Sequence, residues 1–578
     1  MGIPSYFMHI VRKYRNIIIP LGKTGATRID NLYMDCNGFV YNACKELEDE
    51  GACIDISNDK NNEAFETKLI DLTCVRISEL ILSLNPNGNV MIAFDGVPPM
   101  AKIKQQRTRR CMASMDRLNQ SDNALNNKQT KPNMKFWNTS AITPGTKFMN
   151  KLDNAVNEKF TYNSNNNTFN VKQIIISGSD ISGEGEHKIF EYIRDNPEYH
   201  KTGSTVIYGM DADLIMLSLN HIQFAENLFL FRETPEFIKQ IDNTLCPNTL
   251  YLFDIRALGT KIKKELSQNS NSNSNNNINS DKDISDVIHD YIFMCFMLGN
   301  DFLPHFPALN IRTDGIRRLI STYNILFGTL ISGNTLTVNK VINWSNVKRF
   351  IDHLALYEHE YILEEYDIRD RAHRTAMHVK GRSSANDRLN IPLRDRDIEN
   401  YINPRTNCWE NRYYSSLFSV MNSYTDVTAV CINYLEGLEW VMSYYSTGCV
   451  NWEWVYKYNY PPLLKDLAYH TIEPNNNNDN NDNNDNNNND NKCKYRYITY
   501  KEKTTLTPLT PLTQLSYVLP LDSLFLLPSA IKDRLLKTHP EWYTEHFKYH
   551  WSFCKFLWEA HPLLPEINMD ELKQIVIH

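Results

Sequence analysis

Over its first ~330 residues the chain alternates short apolar runs with longer amphipathic stretches, and this pattern most limits its fold. The runs are NLYM (31–34), VMIAF (90–94), QIII (173–176), TVIY (205–208) and LFLF (228–231). Most are followed by a stretch with helical spacing, at 36–49, 99–117, 186–194 and 212–220. Short runs rich in Ile, Val, Tyr and Phe read as buried strands, and the stretches between them as helices. A βαβα order packs as an α/β domain with a largely parallel central sheet flanked by helices. Residues 335–400 read as helical and charged, and 405–565 are rich in Tyr and Trp. The expected organisation is a first domain over 1–330, a helical connector over 331–404, and a second, helix-rich region over 405–578 packed against the sheet.

Three segments pack poorly: 121–132 is polar and Asn-rich, 268–280 is a low-complexity run of Asn and Ser, and 475–491 is almost pure Asn and Asp. They bury too little apolar surface to offset chain entropy, so they are expected to be disordered surface insertions. The formal net charge of −7, from 61 Lys+Arg and 68 Asp+Glu, excludes a nucleic-acid binder that is basic over its whole surface. It leaves a local basic pocket open. No apolar run reaches the ~18–20 residues of a membrane span, and the N-terminal residues show no signal-peptide core. Twelve cysteines without a C-x-x-C pair read as reduced thiols of an intracellular protein; the cytoplasm is the favoured compartment, with the nucleus or a viral replication compartment as alternatives.

The carboxylates fall at the ends of the apolar runs. Asp35 follows the first and Asp95 the second, Glu184 and Glu186 lie shortly after the third, and Asp211 and Asp213 follow the fourth, while Asp301 lies in LGNDFLPH. One Asp after a strand is most often a turn or a helix cap; the repetition carries the argument. In a parallel α/β sheet the carboxyl ends of the strands line one ligand-binding crevice. Two unit charges ~4 Å apart repel by about 4 kcal/mol at an effective dielectric of ~20. Seven acids gathered there call for cations, and all-oxygen ligands favour Mg²⁺ or Mn²⁺. Two such ions would suit displacement at a phosphodiester. Just after Asp95, Lys102, Gln106, Arg109 and Arg110 share one helix face at i, i+4, i+7 and i+8. This stripe reads either as a phosphate socket or as a solvated basic face.

The blocks MGIPSYF, YMDCNGFVYNA, FDGVPPMAKIKQQRTRR, ITPGTKFM, SGEGEHKIFEYIR, YGMDADLIMLSL and LGNDFLPHFPALNI resemble the XRN family of 5′→3′ exoribonucleases, within the wider flap-endonuclease/PIN-like nucleases. The likeness resumes at RYYSSLF, YLEGLEWVMSYYSTGCVNWEWVYKYNYPP and LTQLSYVLP. It implies that Asp35, Asp95, Glu184, Glu186, Asp211, Asp213 and Asp301 are the catalytic, metal-binding acids. It assigns Lys102, Gln106, Arg109 and Arg110 to the 5′-monophosphate, and Trp452 to stacking on the RNA 5′ end; Trp440 and Trp454 read as core. Tyr41 stands where the family has a stacking His, which implies that stacking survives while the stepping rate changes. The segment 268–280 lacks the Cys/His knuckle found in nuclear members. The chain stops soon after the second region, without the long extension that braces cytoplasmic members, so weaker stability or processivity is expected. The implied activity is processive, metal-dependent 5′→3′ degradation of 5′-monophosphorylated single-stranded RNA to nucleoside 5′-monophosphates by a monomer with no membrane partner. A flap-type DNA nuclease, an inactive RNA-binding module and a scaffold assembled through the Asn-rich loops are the alternatives.

Overall fold

The computed structural model describes residues 5–21, 28–50, 59–126, 137–165, 169–225, 227–232, 245–246, 249–266, 281–328, 335–378, 389–418, 424–471 and 507–577. All five expected strands are present: β2 (Asn31–Asp35), β3 (Asn89–Ala93), β4 (Gln173–Ser177), β5 (Ser204–Tyr208) and β6 (Asn227–Phe231). Two short strands were not expected, β1 (Ile18–Pro20) and β7 (Tyr251–Asp254). The sheet runs β1-β7-β6-β5-β2-β3-β4. The pairs among β2 to β6 are parallel, while β7 joins β6, and β1 joins β7, antiparallel.

Both faces of the sheet are covered, and the side chains alternate accordingly. Leu32, Met34, Val90, Ile92, Val206 and Tyr208 belong to one core, with Phe39, Leu69 and Phe148 from the helices Asn37–Asp49, Asp59–Leu84 and Lys147–Asn165. Tyr33, Met91, Ala93 and Ile207 point the other way. They join Ile189, Leu217 and Ile292 from Gly185–Asp195, Asp213–Asn220 and Asp281–Phe296, and Leu438 from Tyr424–Ser446. The helix-rich second region therefore extends the core of the first. A third cluster joins Val97, Met100 and Ile103 to residues of the C-terminal part such as Leu515, Trp542 and Leu572.

The helix that starts after Asp95 is longer than expected, Met100–Asn126, so residues 121–126 of the segment 121–132 are helical. Composition alone misjudged them: each added residue gains a backbone hydrogen bond once a helix exists, so a polar stretch can extend it. Residues 127–132, 268–280 and 475–491 lie outside the described residues. Among the described residues ten cysteines are free thiols, and no helix is long and apolar enough to cross a membrane.

Candidate active site

Chain order along the sheet reverses between β2 and β5: β3 and β4 are added on one side of β2, and β5 and β6 on the other. A crevice opens at the carboxyl ends of the strands at such a point. Asp35 is the last residue of β2, and Asp95 follows β3 by two residues. Glu184 immediately precedes the helix Gly185–Asp195, and Glu186 lies in its first turn. Asp213 opens the helix Asp213–Asn220, with Asp211 just before it. Helix N-termini favour negative charge, which supports acids in these places. Asp301 arrives from the loop after Asp281–Phe296, where Gly299 has φ +85° and a Cβ would lie 2.8 Å from the His305 backbone nitrogen.

Hydrogen bonds fix the group. Asp95 Oδ1 accepts from the Gly185 N–H (2.7 Å) and Oδ2 from Asn37 Nδ2 (2.6 Å), while Asn37 Oδ1 accepts from the Asp95 N–H (3.2 Å). Tyr444 OH donates to Glu184 Oε1 (2.8 Å), and its ring stacks on His187 at 3.8 Å. Lys102 Nζ lies 2.5 Å from Glu184 Oε2 and 2.7 Å from Asp301 Oδ2. Gly185 is needed here, because a Cβ would sit 2.7 Å from Asp35 Oδ1.

Charge crowding shows in the titration of these groups. Burial raises the Asp35 carboxyl well above the usual range, reinforced by Asp95 and Asp211. Burial, with Asp213 and Asp211, does the same to Glu186. Asp213 is pushed up to about 8 by burial, then by Asp301 and Asp211. Burial also raises Glu184, partly offset by Lys102. Asp301 goes the other way: burial opposes its charge, but the Lys102 ammonium prevails and holds it well below the carboxylate range. Burial likewise opposes the Lys102 charge, and Asp301 and Glu184 override it, lifting its pKa well above the ordinary lysine value.

Three oxygens in this group, Asp35 Oδ1, Glu186 Oε2 and Asp213 Oδ1, are buried and meet no donor among the described residues. Orphaned carboxylate oxygens in an all-oxygen site fit a hard divalent cation. The fit is of chemistry and not of finished geometry: among the described residues no three acids or imidazoles form a ready-made metal-ligand group.

The basic stripe is only partly the open socket the spacing suggests. Lys102 is buried and committed to Glu184 and Asp301. Gln106 Oε1 accepts from Gln514 Nε2 at 3.2 Å. Arg109 is exposed; Arg110 is half-buried with Nη1 buried and unpartnered among the described residues. Tyr41, 46% exposed, lies beside these two arginines; burial of its hydroxyl raises its pKa and the arginines offset only part of that. Trp452 is half-buried at the head of the same helix, its carbonyl accepting from the Met100 N–H at 2.8 Å. Trp440 and Trp454 are buried and stacked at 5.0 Å, as core residues should be.

Sequence reasoning passed over Asn37, Tyr444 and Lys188, which donates to the carbonyls of Phe94 (2.7 Å) and Gly178 (2.8 Å). Asn37 had a signal, since it stands two residues after a strand-end Asp. Tyr444 and Lys188 had none without the tertiary fold.

Residues 1–234 match the family model described as the XRN 5′-3′ exonuclease N-terminus. Residues 281–393 and 382–473 match the one described as the Xrn1 helical domain. The chain is 26% identical over 514 residues to human 5′-3′ exoribonuclease 1, covering 81% of this chain and 29% of that protein. It is 26% identical over 575 residues to the Drosophila melanogaster 5′-3′ exoribonuclease 2 homolog, covering 81% of this chain and 61% of that one. It is 25% identical over 588 residues to Saccharomyces cerevisiae 5′-3′ exoribonuclease 1, covering 81% and 37%. The chain thus spans less than two thirds of each of these relatives.

Proposed function

This chain belongs to the XRN 5′-3′ exonuclease family, and on that premise we propose that it shortens 5′-monophosphorylated single-stranded RNA from the 5′ end, one nucleotide at a time. The observation that carries this reading is the juxtaposition of the acid crevice with Arg109 and Arg110: Arg109 acts on Asp301, and both arginines and Asp95 surround Tyr41. The two guanidiniums grip the terminal phosphate, Arg109 from an exposed position and Arg110 from a half-buried one. Tyr41 and Trp452 offer rings for the first bases, and stacking is worth ~1–3 kcal/mol per base whatever the sequence.

Asp35, Asp95, Glu184, Glu186, Asp211, Asp213 and Asp301 are the residues that would hold Mg²⁺ or Mn²⁺, two ions being the expected complement. When bound, such ions supply charge neutralisation and Lewis-acid polarisation of the scissile phosphodiester. Lys102 holds Asp301 ionised, partly offsets the burial of Glu184 and keeps both acids in place. Asn37 and the Gly185 N–H orient Asp95. In the reaction the water oxygen bonds to phosphorus, the P–O3′ bond breaks, and the 3′ oxygen takes a proton. A nucleoside 5′-monophosphate leaves, and the shortened RNA carries a new 5′-monophosphate. Each cleavage therefore recreates the end that Arg109 and Arg110 hold, which is a physical basis for processive action.

The test is a gel of one RNA sequence with monophosphate, triphosphate or hydroxyl at its 5′ end, beside matching DNA flaps. Each is run with Mg²⁺, with EDTA, and with Asp213→Ala. Loss of the monophosphate RNA alone, abolished by EDTA and by the substitution, is expected. Cleavage of the DNA flaps instead would move the chain to the structure-specific nucleases. No cleavage at all would leave an RNA-binding module.

A further inference from the structure

Four buried rings form one stack between the second region and the acid crevice. Trp454 lies on Trp440 with centroids 5.0 Å apart, Trp440 on Tyr444 at 4.8 Å, and Tyr444 on His187 at 3.8 Å. Trp440 and Tyr444 stand at i and i+4 of the helix Tyr424–Ser446 and so share a face. His187 belongs to the helix Gly185–Asp195, beside Glu186. Phe302, the residue after Asp301, meets Trp440 (5.1 Å) and Tyr444 (5.6 Å) edge-on. Aromatic pairs prefer offset-stacked or edge-to-face arrangements, so these contacts orient the rings as well as bury them.

Each end of the stack is polar. At one end Trp440 Nε1 donates to the Asn451 carbonyl (2.8 Å), and Asn451 Oδ1 accepts from the N–H groups of Glu453 (2.9 Å) and Trp454 (3.1 Å). These bonds fix the turn that carries Trp452. At the other end the Tyr444 hydroxyl donates to Glu184 Oε1 (2.8 Å), while the Lys102 ammonium holds Oε2 (2.5 Å). An ionised carboxylate oxygen has two lone pairs, so each oxygen of Glu184 keeps one for a cation. The next residue, Tyr445, turns its hydroxyl to Asp213. Two consecutive residues of one helix thus each place a hydroxyl on an acid of the crevice. Packing alone does not call for this, since phenylalanine would fill the same space.

We propose that Tyr444 is a positioning residue for the metal-binding acid Glu184, its hydroxyl fixed by the ring stack that also anchors the turn of Trp452. The proposal rests on the nuclease reading for the role of Glu184. It gives the second region a direct hold on the acids of the first, through one phenol.

The test is Mn²⁺ binding to the full chain without RNA, followed by electron paramagnetic resonance, in the native protein, in Tyr444→Phe and in Tyr413→Phe. Tyr444→Phe keeps the ring and removes the hydroxyl. Tyr413→Phe removes another buried hydroxyl, one that donates to the Pro461 carbonyl (2.9 Å) instead of to an acid. Tyr444→Phe is expected to weaken Mn²⁺ at least about tenfold, the scale of a lost outer partner of a metal ligand. Single-turnover cleavage at saturating RNA should slow by a similar factor, with KM for RNA unchanged. Tyr413→Phe should do neither. In a Glu184→Ala background Tyr444→Phe should change Mn²⁺ affinity no further, because the acid it orients is gone. Native Mn²⁺ affinity in Tyr444→Phe, an equal loss in Tyr413→Phe, or a native chain that binds no Mn²⁺ would overturn the proposal. Mn²⁺ binding that depends on the Tyr444 hydroxyl in a chain that degrades no RNA would instead refute the nuclease reading and leave Tyr444 in this role.

Discussion

Removing the Lys102 charge should cost more stability than any other single change on the basic helix. In Lys102→Met the side-chain length is kept and the ammonium is lost. That ammonium sits 2.5 Å from Glu184 Oε2 and 2.7 Å from Asp301 Oδ2, and both acids are at most 6% exposed. Each contact is worth roughly 6 kcal/mol of attraction at an effective dielectric of ~20, before desolvation is subtracted. Breaking a buried pair by deleting one partner costs about 3–5 kcal/mol in practice, because the survivor is left charged and buried. Two survivors place Lys102→Met at the upper end of that range. Urea denaturation at neutral pH is the assay, on the variant and on Lys102→Met/Asp301→Asn. The double variant should regain a large part of the loss, since one orphaned charge goes with the lysine. Added Mg²⁺ should narrow the gap as well, by supplying the missing positive charge. A loss below about 1 kcal/mol, or a double variant no more stable than the single one, would refute the view that Lys102 neutralises this cluster.

Other consequences are more local. Burial raises the Glu358 carboxyl from 4.5 to about 7, against bonds accepted from the N–H groups of Leu464 (2.6 Å) and Lys465 (3.0 Å). The folded state then keeps a proton between those values that the unfolded state has lost. Stability falls as pH rises through this window, by roughly 3 kcal/mol at ~1.36 per unit. Urea melts at several pH values should show Glu358→Gln flattening the decline; an unchanged slope would exclude Glu358 as its source. Gly185→Ala places a methyl 2.7 Å from Asp35 Oδ1, so cleavage should drop at least about tenfold, with far-UV circular dichroism retained. Tyr41→His introduces a ring that can become cationic near neutral pH, and single-molecule stepping rates should change; identical rates in the two proteins would remove Tyr41 from translocation.

The sheet was legible because its interior strands are buried on both faces and therefore read as continuous apolar runs. β1 and β7 were not, since Ile18–Pro20 and Tyr251–Asp254 are too short to show a period. The acids were legible for a topological reason: a parallel sheet sends every strand end to the same edge, so a residue's place in the chain predicts its place in the crevice. Helical spacing did less for the basic stripe. It put Lys102, Gln106, Arg109 and Arg110 on neighbouring positions but said nothing of what waits opposite. Lys102 meets Glu184 and Asp301, 82 and 199 residues away, and Gln106 meets Gln514, 408 residues away. Periodicity carries no information about such pairs. Tyr444 is the same case, a core-like aromatic in the sequence whose hydroxyl reaches Glu184 only once the second region is packed.

In the proposed reaction Arg109 and Arg110 read a terminal phosphate beside the acid crevice. The most direct measurement is the single-turnover rate on 5′-monophosphate RNA divided by that on the 5′-hydroxyl RNA, in the native chain, in Arg109→Ala and in Arg110→Ala. Charge-assisted hydrogen bonds of about 1.5–3 kcal/mol correspond to roughly 10- to 100-fold each. The expected result is a strong preference for the monophosphate that falls by about that factor in each variant, the hydroxyl rate staying constant. A preference that survives both substitutions, or a native chain indifferent to its 5′ end, would contradict it.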